Sequence, residues 1–335
     1  IVEALTRTES QGDVAALPGV AQIALVMIVA GLGFKIAAVP FHFYAPDVYQ
    51  GAPTPVAAFL AFIPKVAGFV ALIRVLGFVW AKEASIPGLA LGLQVPTLLW
   101  ILATMTMFLG NVLALLQDNL KRLLAYSSVA HAGYMLIGLT VARDLALSAE
   151  PSKSTGGGVD AVLFYLVAYG AMTVGAFAVL SYLSTPQRPV VNVDDLADLS
   201  GSHPGIALLM ALFLFGLIGI PFTAGFWGKL FLFFGALGVP ARPPLEEHAH
   251  LFRLLAVIGA INAAIGAWYY LRILSVMYLR SSIKPLEKRR EWPGLAAIWI
   301  CAAVTLAFGV YPEPLAKAAR QAVLPERTEI QQARQ

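Results

Sequence analysis

Long apolar runs, most of them about twenty residues or more, recur along the whole chain and are separated by short polar stretches. Eight can be marked, near 19–39, 55–80, 97–117, 121–141, 160–183, 205–239, 252–280 and 293–311. A helix rising about 1.5 Å per residue needs about twenty residues to cross a hydrocarbon core of about 30 Å. The pattern therefore predicts an all-α polytopic membrane protein of about eight spans. Barrel strands would show alternation over segments of about ten residues, and that pattern is absent. The sixth run is too long for one plain helix, so an interruption is expected within it.

Composition agrees with the pattern. Hydrophobic residues make up 59% of the 335 and charged residues only 13%, about half the share of a soluble domain. Mean hydropathy is +0.76. A net charge of +4 would point to nucleic acid only if the bases formed a soluble patch; here they sit mostly in short loops, and no nucleic-acid partner is expected. The single cysteine, Cys301, excludes an internal disulfide, a CxxC redox motif and a cysteine-ligated iron–sulfur cluster within the chain. No GxGxxG or P-loop pattern occurs either. The chain opens on Ile1 and a polar stretch (Glu3, Arg7, Glu9, Asp13), without an initiator Met or a signal peptide. That stretch reads as a loop from an earlier span, and the chain as a fragment.

Lysine and arginine in short loops mark the cytoplasmic side. The loops after the first, third, fifth and seventh spans share one side and carry Lys121, Arg122, Arg188 and the cluster Lys284, Lys288, Arg289 and Arg290. On the other side Lys82, Arg143, Lys153, Arg242 and Arg253 are offset by Glu83, Asp144, Glu150, Glu246 and Glu247. The first set is read as cytoplasmic, which puts the C-terminus on the far side.

Three lysines interrupt the apolar runs. Residues 14–34 before Lys35 and 199–228 before Lys229 carry no charge, and Lys65 lies about 15 Å into a helix starting near residue 55. A lysine at a helix centre costs roughly 2.5–3.5 kcal/mol on insertion scales. All 19 carboxylates fall at loops or span ends, so no lysine has an obvious partner at its own depth. Burial without a counter-charge disfavours the charged form, which makes such a group a place to take up and release a proton. The alternative is snorkelling to the interface, which the depth of Lys65 argues against. Lys35 precedes Pro40 in GLGFKIAAVPF and Lys229 follows Pro221 in GIPFTAGFWGK. Proline removes a backbone donor, and polar residues at broken helices recur at transporter ion sites.

Other polar positions are weaker. Arg74 and Arg272 lie about two turns from span ends and read as structural. His131, in AYSSVAHAGY, is either a helix–helix hydrogen bonder or a proton relay. Tyr165, Tyr169 and Thr173 recur every four residues and form one stripe, a pattern that more commonly serves packing than transport.

The segment FKIAAVPFHFYAPDVYQGAPTPVAAFLAFIPKVAGFVALIR (34–74) resembles the antiporter-like membrane subunits of respiratory complex I, NADH–quinone oxidoreductase, in particular those of the subunit N type. DNLKRLLAYSSVAHAGY (118–134), GLIGIPFTAGFWGK (216–229) and the short tail after the last span agree. The resemblance covers most of 20–311. The L and M types and the related cation/proton antiporter subunits usually carry histidines and a lysine where this chain has Tyr165, Tyr169 and Thr173. One departure is Tyr44, where the family commonly has tryptophan.

The resemblance implies a fourteen-helix fold of two inverted five-helix repeats, each with a broken helix, here near Pro40 and Pro221. Residues 1–18 would be a loop from a missing upstream helix, and 19–80 the last two helices of the first repeat. Residues 97–280 would be the second repeat, 293–311 the final span and 312–335 a polar tail. Lys35, Lys65 and Lys229 would be the proton-path lysines, with His131 able to assist and the partner carboxylate of Lys35 upstream. The implied function is proton translocation coupled to electron transfer from NADH to quinone. This subunit would carry no cofactor or metal; NADH, FMN, iron–sulfur clusters and quinone would belong to partner subunits. The expected partners are subunits of the M, K and J types and the lipid of a bacterial inner membrane. A sodium/proton antiporter subunit and a purely structural membrane spacer are the alternatives.

Overall fold

A computed structural model describes residues 17–83, 91–148, 157–185, 188–241, 246–281 and 292–332. Among them the helices are α1 (Leu17–Ile36), α2 (Tyr44–Gly51), α3 (Thr54–Glu83), α4 (Leu91–Leu115), α5 (Leu120–Ser148) and α6 (Val159–Leu183). After a short 3-10 turn (Val193–Leu196) follow α7 (Leu199–Ser202), α8 (Pro204–Ile218), α9 (Ala224–Gly238), α10 (Glu246–Leu279), α11 (Trp292–Val310) and α12 (Glu313–Gln332). Six of these, α3 to α6, α10 and α11, are long and apolar enough to cross a membrane, while α1, α8 and α9 have shorter apolar stretches.

The expected interruption in the sixth run lies between α8 and α9. Helix α8 ends on Gly219, whose left-handed backbone (φ 93°) is one that glycine adopts at no steric cost. Residues 219–223 then turn the chain before Thr223 opens α9. The first run breaks too: α1 ends at Ile36, Ala37 is left-handed (φ 58°), and the peptide before Pro40 is cis. Val39 N–H there donates to buried Thr106 Oγ1 of α4 at 3.1 Å. Tyr44 stacks on Phe34 and donates from its hydroxyl to the Phe34 carbonyl, so the unexpected tyrosine pins the two sides of this break together.

Helix α5 is the centre of the molecule, enclosed along nearly its whole length, whereas α11 exposes most of its surface. It pairs tightly with α4, where Gly110 lies against the Ala130 backbone and Gly133 against Met107. Close backbone approach through small residues is how membrane helices gain packing energy without a hydrophobic drive.

One end of the bundle gathers three loops and the close of α10. Arg122 pairs with Asp47 and reaches Gln50 at 3.0 Å; Lys121 donates to the Ala52 carbonyl at 2.7 Å. Asn119 and Asn192 form an isolated bridge, Arg272 pairs with Asp118, and Arg280 with Asp194 at 2.6 Å. The loops after the first, third and fifth spans and the close of α10 at Arg280 therefore meet at one basic end. The cluster at 284–290, with Lys153, Glu150 and Arg242, falls outside the described residues, as do residues 1–16.

Two expectations need correction here. The carboxylates are not all peripheral: α5 runs to Ser148, beyond the expected end at 141, so Asp144 is inside a helix, fully buried and bound to His248 Nδ1 at 2.8 Å. The segment after the last span is also more than a polar tail, because over Glu313–Gln332 it is a helix with Ala316, Ala319 and Val323 buried. It packs along α6.

Candidate functional site

Lys65 lies eleven residues into α3, about 16 Å along the helix. Its side chain is 3% exposed. The ammonium donates to the Ser128 carbonyl and to Ser128 Oγ (2.7 Å), and sits 5.0 Å from the centre of the Tyr169 ring. Two oxygens and an aromatic face thus stand in for hydration, with no carboxylate beside it among the described residues.

Lys229 lies in the first turns of α9 and is 7% exposed. Its ammonium folds back across the break to the Leu217 and Ile218 carbonyls, at 2.8 and 2.7 Å. These are the last carbonyls of α8, which a broken helix leaves without intrahelical partners and which carry the negative end of its dipole. The break therefore makes the lysine's site. The ammonium also lies 5.0 Å from the Tyr134 ring.

His131 joins the two lysine sites. It is 1% exposed and lies one turn beyond Ser128 on α5, with Tyr134 three residues further on the same face. Its Nδ1 is 2.6 Å from the Tyr165 hydroxyl and its Nε2 3.1 Å from that of Tyr270. The Tyr169 ring that covers Lys65 lies 5.2 Å from the imidazole, and the Tyr134 ring beside Lys229 lies 5.7 Å from it. Lys65, Ser128 and Tyr169, His131, Tyr165 and Tyr134, and Lys229 thus form a row of buried polar side chains, joined in part by hydrogen bonds and in part by ring contacts. A neutral imidazole has one donating and one accepting nitrogen. One tyrosine hydroxyl must therefore donate to it while the other accepts.

A side branch orients this line. Asn111 of α4 donates to the Tyr134 hydroxyl (3.2 Å) and to the Asn262 carbonyl (3.1 Å), and accepts from the Tyr269 hydroxyl (3.1 Å). Tyr270 is also bonded to Ser127. The Tyr169 hydroxyl and Thr173 Oγ1 are buried without a hydrogen-bond partner among the described residues, and such atoms call for an explanation.

Of the residues singled out from sequence, Lys65, Lys229 and His131 meet in one site. The stripe Tyr165, Tyr169 and Thr173 lies on the site side of α6. Lys35 does not join them: its side chain is exposed on the outer face of α1, with its stem against Gly68 of α3. It was expected among the buried lysines, and in the described chain it is at a surface. Arg74 is exposed, and Arg272 is tied to Asp118 at the basic end, so neither joins the site. Ser127, Ser128, Tyr134, Asn111, Tyr269 and Tyr270 were not anticipated. The recurrence of polar residues at 127/128, 131 and 134 was the available signal.

A family model described as "NADH:quinone oxidoreductase/Mrp antiporter, TM" matches residues 7–241. The chain belongs to that family. As such a protein it is integral to a membrane. A relative from Trichlorobacter lovleyi, named NADH-quinone oxidoreductase subunit N, is 40% identical over 306 residues, covering 90% of this chain and 56% of that protein. The chain thus spans about half the length of the curated relatives it matches. Respiratory complex I of Thermus thermophilus, with bound Aureothin, contains a chain 34% identical to this one; the TM-score is 0.68, covering 88% of this chain and 58% of that one. A chain of the Mrp complex from Dietzia sp. is 18% identical with a TM-score of 0.74, covering 94% and 61%, a likeness of fold alone.

Proposed function

We propose that this family member is part of a proton-translocating membrane subunit of an NADH–quinone oxidoreductase. The observation that carries the reading is the buried line from Lys65 through His131 to Lys229. Its ends are ammonium groups held by neutral oxygens and aromatic faces, so each can be charged or neutral without breaking an ion pair. Its middle is an imidazole with a hydroxyl on each ring nitrogen. A proton arriving at one nitrogen and another leaving the opposite one carries a charge across the ring without moving it.

In this reading a charge change arriving from a neighbouring subunit alters Lys35 first. Lys65 responds by passing its proton to the Ser128–His131 segment, and Lys229 receives it at the break between α8 and α9. Lys35, on an open face of the described chain, meets its carboxylate partner in the rest of the full-length protein. Residues 19–80 and 97–280 are then parts of two inverted repeats, with the breaks near Pro40 and Pro221 in corresponding places. NADH, FMN, iron–sulfur clusters and quinone belong to partner subunits, and the neighbours in the membrane are of the M, K and J types. The assembly lies in a bacterial inner membrane, with the basic end cytoplasmic and the C-terminus periplasmic.

Lys229→Ala in the full-length protein, within its complex, tests this. Reduced proton translocation with reduced quinone reduction is expected. A wild-type proton-to-electron ratio would remove Lys229 from the path.

A further inference from the structure

Beside Lys65 lies a cluster of hydroxyls that the row toward Lys229 does not use. Tyr49, in the short helix α2, is 5% exposed and sets its ring edge-on against Phe177 of α6, with centroids 6.2 Å apart and planes at 67°. Thr173 lies one turn before Phe177 on α6, and Tyr169 one turn before Thr173; both are at most 2% exposed. The Tyr49 and Tyr169 hydroxyls come within reach of the Ser128 side chain, and the Tyr169 hydroxyl also within reach of Thr173. Yet neither the Tyr169 hydroxyl nor Thr173 Oγ1 closes a hydrogen bond among the described residues.

Buried hydroxyls that approach one another without bonding are the groups a water bridges. A buried water binds through about three hydrogen bonds, and each hydroxyl here can donate one and accept two. Ser128 Oγ accepts from the Lys65 ammonium at 2.7 Å, which leaves the serine's own proton free for an onward bond. The cluster also leans toward the basic end. Thr173 lies about 6 Å further than Tyr169 along α6 in that direction, and the loop after α6 meets Asn119 there. Tyr49 is carried by the helix whose Asp47 and Gln50 bind Arg122 at the same end.

We propose that Tyr49, Ser128, Tyr169 and Thr173 bind a water that hands protons to Lys65. The proposal rests on the reading of the Lys65–Lys229 row as a proton path. The step begins with Lys65 as an amine, its proton already passed on. An excess proton arriving on the water moves to Ser128 Oγ as the serine's own proton moves to Lys65 Nζ. The water is left neutral, the serine is unchanged, and the amine becomes an ammonium. Tyr169 and Thr173 hold the water's oxygen in place, and the Tyr169 ring covers the ammonium once it has formed. One tyrosine thereby serves both the donor and the acceptor of the proton.

The test uses the full-length protein in its complex, reconstituted in vesicles, with lumen acidification and NADH oxidation measured together. Thr173→Val keeps the side chain's shape and removes its hydroxyl. It is expected to slow proton translocation about fivefold, the loss of one net hydrogen bond, while Thr173→Ser, which keeps the hydroxyl, stays near the wild-type rate. A density map of the wild-type complex that resolves ordered water is expected to show one bonded to the Tyr169 hydroxyl and to Thr173 Oγ1. A map without it overturns the site whatever the variants do, and decides the matter should Thr173→Val fail to assemble. Equal slowing in Thr173→Val and Thr173→Ser also overturns it, since packing and not the hydroxyl would then be at work. Wild-type rate in Thr173→Val alongside loss in Lys65→Ala overturns the water's role and leaves the path standing. Wild-type rate in Lys65→Ala overturns both.

Discussion

Neither ammonium in the described site has a carboxylate beside it, and their partners explain why both can be tolerated. Lys65 is held by one serine and one tyrosine ring, Lys229 by the two carbonyls that the break in α8 sets free and by Tyr134. Neutral acceptors stabilise the charged form without demanding it, which suits a group that must lose and regain a proton. Lys65→Arg is accordingly expected to fail: a guanidinium stays charged at every accessible pH and is too broad for a pocket built around one nitrogen. Full proton translocation by this variant would show that a fixed charge suffices. Tyr165→Phe removes the hydroxyl 2.6 Å from His131 Nδ1 while keeping the ring against Gly228. Translocation is expected to slow by about tenfold or more with assembly unchanged, measured as vesicle acidification. Tyr269→Phe, which removes the bond to Asn111 but leaves both hydroxyls on His131, is expected to do less.

At the scale of elements, the break between α8 and α9 is a built feature. Gly219 closes α8 in a left-handed conformation, and a methyl group there would sit 3.1 Å from Lys229 Cδ. Gly219→Ala is expected to cost about 1–2 kcal/mol in backbone strain and to displace the Lys229 stem. Lower thermal stability together with lower proton yield would show both effects; loss of stability alone would mean that the break does not position the lysine. Both breaks were legible from proline and glycine beside a lysine in an apolar run. Lys65 and Lys229 were legible because a charge in such a run is conspicuous. Tyr134, Tyr270 and Asn111 were not, since uncharged polar residues also occur in spans as packing, and only the neighbouring helix tells which role each has. Asp144 was misplaced because α5 continues for two turns past the apolar run. Lys35 lies at a surface of the described chain because burial depends on what packs against a helix, which its own sequence does not contain.

Across the whole molecule, α5 is the axis, and the pairs around it hold its two ends. At the basic end the loops are tied by Arg122–Asp47, Arg272–Asp118 and Arg280–Asp194, which are exposed and worth little singly. At the other end buried Asp144 joins α5 to His248 at the start of α10, the helix that brings Tyr269 and Tyr270 to the site. Asp144→Ala leaves His248 without that partner and is expected to destabilise the bundle by about 1–3 kcal/mol, measured by thermal unfolding in detergent. The row of buried polar groups from Lys65 to Lys229 crosses this bundle. The most direct test of its role is the number of protons moved per electron by the assembled complex when Lys65 and Lys229 are both replaced by alanine. A proton path predicts a lower ratio, or arrested electron transfer where the two are tightly coupled. An unchanged ratio, in a protein made more stable by losing two buried charges, would contradict it and leave the chain a structural spacer.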